Sequence, residues 1–315
     1  MAGPAPFFVG LNLPWQQYGC DFGANRWQPE GGLVLAARRH ALSETFGRAA
    51  DAGARDLRWF LLCDGRAGID YGPHGRAPRL DEAIRRDLDA ALELLNGHKL
   101  RATFALLDFH WFRRPAVAGH VQLGGRYHLI ADRDVRARLI DDVMVPLVGH
   151  CRGCEAVAAW DVVNEPDWAT VGLGPRWTMA RLAFHEMRLF LDSMLTVLRE
   201  AASQPLTIGL ASLSGLELGA GLPVDVHQVH WYDSFGLDAI LSRRVASLGL
   251  DRPLLLGEFP TRDTALGART IVEAAQRAGY AGAFAWSLLA DDAASHPSRA
   301  LEVVRWWRDF GGAGL

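Results

Sequence analysis

Two glutamates close short apolar runs: Glu165 in Trp160-Asp-Val-Val-Asn-Glu-Pro166 and Glu258 in Leu254-Leu-Leu-Gly-Glu-Phe259. A carboxylate at the end of a buried strand is costly without a partner. Two that face each other are what glycosidic-bond hydrolysis requires, one protonating the leaving oxygen and the other attacking the anomeric carbon. In the retaining form the pair stands about 5–5.5 Å apart.

Polar residues with chemistry to offer recur at the same kind of place. Asn12, Arg58, His110, Asn164, His230, Tyr232 and Trp286 all fall at or near the ends of apolar runs. Arg58 and Tyr232 can both reach a carboxylate on the seventh run and would keep Glu258 ionised as a nucleophile. Glu165 needs the reverse: Pro166, Trp168 and a bound sugar would desolvate it, raising its proton affinity so that it can act as the acid. Period-two alternation puts Val226, Gln228, His230 and Tyr232 on one face of their run and His227, Val229 and Trp231 on the other, so His227 and His230 point apart. Asp161 is expected to be a buried hydrogen-bond acceptor. Asp291 and Asp292 are expected to be solvated, since a calcium site wants six or more oxygens.

The elements that must position these groups alternate between short apolar runs and segments of helical period, the pattern of repeated βα units. The strands expected are Phe7–Leu13, Asp56–Leu62, Arg101–Phe109, Ala156–Val163, Leu206–Ala211, Val226–Tyr232, Leu254–Phe259 and Ala281–Leu288. Helices are expected over Leu80–Asn96, Asp134–Leu147, Arg176–Ala202, Ala265–Ala278 and Ser298–Phe310, with Gly97, Gly149 and Gly279 as stop signals. Eight units argue for one α/β domain over residues 1–315, a (β/α)8 TIM barrel whose active site lies at the C-terminal ends of the strands. No Gly-x-Gly-x-x-Gly follows the first strand to suggest a dinucleotide fold.

Eleven tryptophans add a further signal. Trp15, Trp27, Trp59, Trp111, Trp168, Trp177, Trp231 and Trp286 fall at or just after strand ends, where flat rings suit the apolar faces of pyranoses. Trp286 is the first choice as a sugar platform, with Trp111 and Trp231 as further substrate-binding candidates.

Composition narrows the class. The 315 residues are 50% apolar with a formal charge of -3, so no basic footprint points to nucleic acid, and no apolar run is long enough to span a membrane. Carbohydrate is the expected partner, with no cofactor and no metal. Cys20, Cys63, Cys151 and Cys154 form no disulfide framework, and Cys151-Arg-Gly-Cys154 lacks the second pair a zinc site needs. Lys99 is the one lysine; the arginine bias is expected to reflect a GC-rich genome rather than a functional demand, and a bacterial source is expected. It precedes the third strand, too far from the rim for Schiff-base chemistry. The N-terminus shows no charged and apolar leader, so a cytoplasmic location is expected, or secretion if a leader has been removed.

In their order along the chain the residues resemble the clan A retaining glycoside hydrolases, and within them family 5, the cellulase and mannanase family. That pattern has an arginine after strand 2, a histidine after strand 3, Asn-Glu on strand 4, His-x-Tyr on strand 6, a glutamate on strand 7 and a tryptophan on strand 8. Here these are Arg58, His110, Asn164-Glu165, His230-Trp231-Tyr232, Glu258 and Trp286. The resemblance implies Glu165 as acid/base, Glu258 as nucleophile, Asn164 on the sugar 2-hydroxyl and Trp286 under the ring before the cleaved bond. It implies a substrate of β-linked gluco- or manno-configured sugar, with endo action favoured. Loops Pro14–Ser43 and Trp111–Asp132 match no substrate-defining pattern. Two other classes stay open: a barrel that binds carbohydrate without cleaving it, and a metal-dependent hydrolase barrel, which would need histidines and aspartates converging on the rim.

Overall fold

A computed structural model of the chain describes residues 6–173, 182–232 and 239–311. Eight parallel strands close into a barrel: β1 (Phe8–Leu13), β2 (Asp56–Phe60), β3 (Arg101–Asp108), β4 (Val157–Asn164), β5 (Leu206–Leu210), β6 (His227–His230), β7 (Leu254–Pro260) and β8 (Gly282–Trp286). Each lies within two residues of the run read from the sequence, because the apolar stretches must be buried on both faces of a parallel sheet. The α/β barrel expected from the alternation is therefore the fold.

The helices depart further from expectation. The amphipathic stretches do form Glu82–Gly97, Phe184–Ala201, Ala268–Ala278 and Pro297–Trp306. Ala36–Ala52 is also a helix, closing on a left-handed Gly53, so the expected loop Pro14–Ser43 turns helical from Ala36 onward. Arg133–Leu139 runs through a π-helical stretch, Ile140–Met144, into Val145–His150, so Gly149 sits inside a helix and is no stop signal. Gly279 does take the left-handed C-cap role, with φ 94°. After β5 and β6 the described residues hold one-turn α-helices, Leu216–Gly219 and Ala239–Ser242, and the 3-10 turns Leu213–Gly215 and Val245–Leu248. Among the described residues the helices are thus uneven in length. The part of the expected Arg176–Ala202 helix before Leu182, and Trp177 with it, lies outside the described residues. No helix among the described residues is long and apolar enough to cross a membrane.

The main core lies between the barrel and its helices, where Leu11, Leu57, Phe104, Trp160, Leu256 and Ala283 are all but fully buried. Inside the barrel one layer of the filling is polar. Arg58 on β2, Asp161 on β4 and Gln228 on β6 meet in one layer of alternate strands, a place usually given to branched apolar residues. Two glycines make room for it. A Cβ on Gly209 would come within 2.6 Å of Asp161 and Gln228, and one on Gly257 within 2.6 Å of Gln228.

Candidate active site

Strand register assembles the site. Asn12 pairs with Arg58 across β1 and β2, Asp108 with Asn164 across β3 and β4, and His230 with Glu258 across β6 and β7. Register shifts between Asp161 and Asn164 and between Val229 and His230 turn these strand ends toward the barrel axis.

Glu165 follows β4 in a left-handed backbone conformation, φ 50° and ψ 49°, which costs a non-glycine residue free energy. The turn is fixed around it. Its own N–H donates to Gly209 O at 2.6 Å, Pro166–Ala169 closes a 3-10 turn, and Asp167 accepts from the Ala211 N–H at 3.0 Å. The strain is spent on aiming one carboxyl group.

Glu258, at 4% exposure, is held at both oxygens: Arg58 Nη1 donates to Oε1 and the Tyr232 hydroxyl to Oε2, each at 2.7 Å. Arg58 is fully buried and also donates to Asp161 at 2.7 Å and to Asn164 Oδ1 at 2.6 Å. Asp161 accepts as well from Gly209 N–H and Gln228, the buried-acceptor role expected of it.

His230 joins the two glutamates. Its Nδ1 lies 2.8 Å from Glu165 Oε1 and 3.6 Å from Glu258 Oε2. One carboxylate oxygen from each glutamate and a ring nitrogen of His230 all fall within 4.8 Å of one another. These three are the described residues able to share a cation. Arg58 already supplies the positive charge at Glu258, however, and His230 Nδ1 is already hydrogen-bonded to Glu165, so the trio suits acid–base work better than metal ligation.

The proton affinities follow from burial and neighbours. Burial, then the Asp108 charge, raise Glu165 to about 8, against the pull of Arg58 and His110. Burial raises Glu258 too, against the pull of His230, Arg58 and the Tyr232 hydrogen bond. The expectation of a raised Glu165 agrees with this, whereas Glu258, expected to lie lower, is itself pushed above an ordinary glutamate. Burial drops His230 to about 4, leaving it neutral.

The other expected site residues divide into three groups. His110, Tyr232 and Trp286 are partly exposed and border the cleft. His110 Nδ1 contacts Asp108 at 2.6 Å and the Tyr18 hydroxyl at 3.0 Å, and the Trp286 indole donates to Asp292 at 3.1 Å. Asp292, expected to be merely solvated, thus orients the tryptophan. Asn12, Arg58 and Asn164 are buried and tied into one network: Asn12 is tied to Gly257 O and Arg58, and Asn164 lies between Arg58 and Asp108. Two expectations fail. Trp111 is fully buried, because the 3-10 turn Phe109–Phe112 swings its ring into the core. Trp231 is 1% exposed, being on the outward face of its strand, as the period-two pattern with His230 and Tyr232 requires.

Asp108, Tyr18 and Gln228 were not singled out as site residues. Asp108 could have been found as an acid ending the third apolar run beside His110. Tyr18 lies in a loop whose path no local pattern gives.

No protein-family model matches the chain. The mannan endo-1,4-beta-mannosidase of Mytilus edulis is 21% identical over 320 residues, 89% of this chain and 83% of that protein. That of Cryptopygus antarcticus is 22% identical over 326 residues, 90% and 81% of the two chains. The structure of a beta-1,4-mannanase from the sea hare Aplysia kurodai superposes with TM-score 0.78 and 20% identity, over 98% of this chain and 94% of that one. The resemblance to the cellulase and mannanase family of clan A is borne out by these likenesses. Both curated relatives are animal proteins, so the expected bacterial source finds no support in them.

Proposed function

We propose that the chain is a glycoside hydrolase, a retaining β-mannanase that cleaves β-linked mannan chains internally by double displacement. The observation that carries it is the pairing of Glu165 and Glu258 across the barrel, with carboxylate oxygens within 4.8 Å. That spacing suits a direct attack and leaves no room for the water that inversion needs between carboxylate and sugar.

Glu258, ionised between Arg58 and Tyr232, attacks the anomeric carbon as the glycosidic bond breaks. Glu165, protonated up to about pH 8, gives its proton to the departing oxygen. It is then a carboxylate, and it takes a proton from the water that displaces Glu258 from the sugar, restoring both groups. Trp286 supports the ring before the cleaved bond and the second hydrogen of Asn164 Nδ2 is available to the 2-hydroxyl. The manno preference comes from the two mannan endo-1,4-beta-mannosidases, matched over 83% and 81% of their lengths.

Incubation with β-mannan, β-glucan, xylan and aryl β-glycosides, followed by proton NMR of the first-formed anomer, tests this. Release of β-configured manno-oligosaccharides is expected; inversion, or no hydrolysis of any β-linked substrate, would overturn it.

A further inference from the structure

Trp27 is 45% exposed, yet it is held in place with care. Asn25 Oδ1 accepts the backbone N–H of Trp27 at 2.8 Å and of Gln28 at 3.1 Å, and Asn25 and Gln28 exchange backbone hydrogen bonds across the turn. The Gln28 amide, itself 5% exposed, donates to Cys20 O and Gly23 O and accepts from Arg38 at 2.7 Å. A turn this well tied presents an indole to solvent at a fixed position.

The indole is also connected to the site. The Arg66 guanidinium lies 5.9 Å from the Trp27 ring and 4.6 Å from the Tyr18 ring. Tyr18 touches His110 by its hydroxyl, and its ring is 4.8 Å from Trp15, which in turn lies 6.3 Å from Trp286. An aromatic line therefore runs from the tryptophan of the cleft to Trp27. Behind Trp27 the hairpin Ala116–Ala118 and Val121–Leu123 approaches with Gly119, where a Cβ would fall 2.8 Å from the indole nitrogen.

We propose that Trp27 is a remote binding platform for a further sugar unit of the substrate chain, beyond the ring supported by Trp286. It rests on the hydrolase assignment above. The occupant is an uncharged pyranose rather than an acidic one: Arg66 is neutralised by Asp64, held at 2.8 and 2.9 Å, and serves to brace the indole rather than to bind an anion. A flat apolar ring edged by polar groups matches the axial C–H face of a hexose.

The test compares kcat/KM for β-1,4-mannotriose and mannohexaose in the parent, W27A and W27F. For W27A a loss of about tenfold on the hexasaccharide, mainly in KM, is expected, the value of one good aromatic contact. The trisaccharide should react at the parent rate, and W27F should keep most of the hexasaccharide activity. An unchanged chain-length profile in W27A, or an equal loss on both substrates, overturns the platform while leaving the hydrolase standing. A parent inactive on every mannan and glucan overturns the hydrolase assignment and the platform together.

Discussion

His230 Nδ1 stands 2.8 Å from Glu165 Oε1, so a buried neutral histidine faces the proposed acid. Its other nitrogen, Nε2, is 3.5 Å from Gln228 Nε2, whose amide orientation is set by donation to Asp161 at 3.0 Å. Since the Gln228 nitrogen can only donate, His230 Nε2 accepts and Nδ1 carries the hydrogen. The tautomer is thus assigned by a chain of contacts from Asp161 through Gln228 to Glu165.

Replacing Gln228 with Leu removes that control. We expect Q228L to fold, to show mixed His230 tautomers by ring 15N shifts, and to lose about tenfold or more in kcat as Glu165 loses its fixed donor. A single Nδ1–H tautomer and parent kcat in Q228L would refute the assignment.

The pH profile follows from which form of each glutamate works. Activity needs Glu258 charged and Glu165 protonated, so kcat/KM should rise through the Glu258 pKa and fall near pH 8 as Glu165 ionises. In Glu165→Gln the basic limb should vanish, read with an aryl glycoside whose good leaving group needs no acid.

The same shift has a stability consequence of opposite sign to the usual carboxylate. Glu165 titrates near 4.5 unfolded and about 8 folded, so between those values the folded state binds more protons and stability falls as pH rises. Glu165→Gln should therefore exceed the parent in stability at pH 8 by on the order of 1–3 kcal/mol and lose that advantage near pH 4. Urea melts at the two pH values measure it; equal midpoints at pH 8 would count against a raised Glu165.

The barrel and the pair of glutamates were legible in the sequence because both rest on local regularities: apolar runs of strand length, and polar residues that end them. Gln228 was placed on the correct face by period two, but its partner across the barrel depends on register and on the space left by Gly209 and Gly257. Trp111 shows the limit from the other side. Position after a strand was the same for Trp111 as for Trp286, and only the 3-10 turn at Phe109–Phe112 decides which ring enters the core. Asp292 and Tyr18 reach the site from loops, where sequence spacing carries no direction.

Arg58 offers the sharpest test of how the buried network is held. It pairs with both Asp161 and Glu258, each at 2.7 Å, inside a fully desolvated layer. Removing one member of such a network strands the others' charge, at about 3–5 kcal/mol. Asp161→Ala should therefore lower stability by about that amount, though Asp161 is not proposed to touch substrate. Glu258→Gln keeps the shape, and Asp161 still balances Arg58, so it should stay folded and close to parent stability while losing turnover by about three orders of magnitude or more. Urea denaturation set beside turnover on mannan separates the two. A Glu258→Gln protein that hydrolyses at the parent rate would remove the nucleophile from the mechanism, whereas an Asp161→Ala protein of parent stability would mean that Arg58 does not depend on its buried partner.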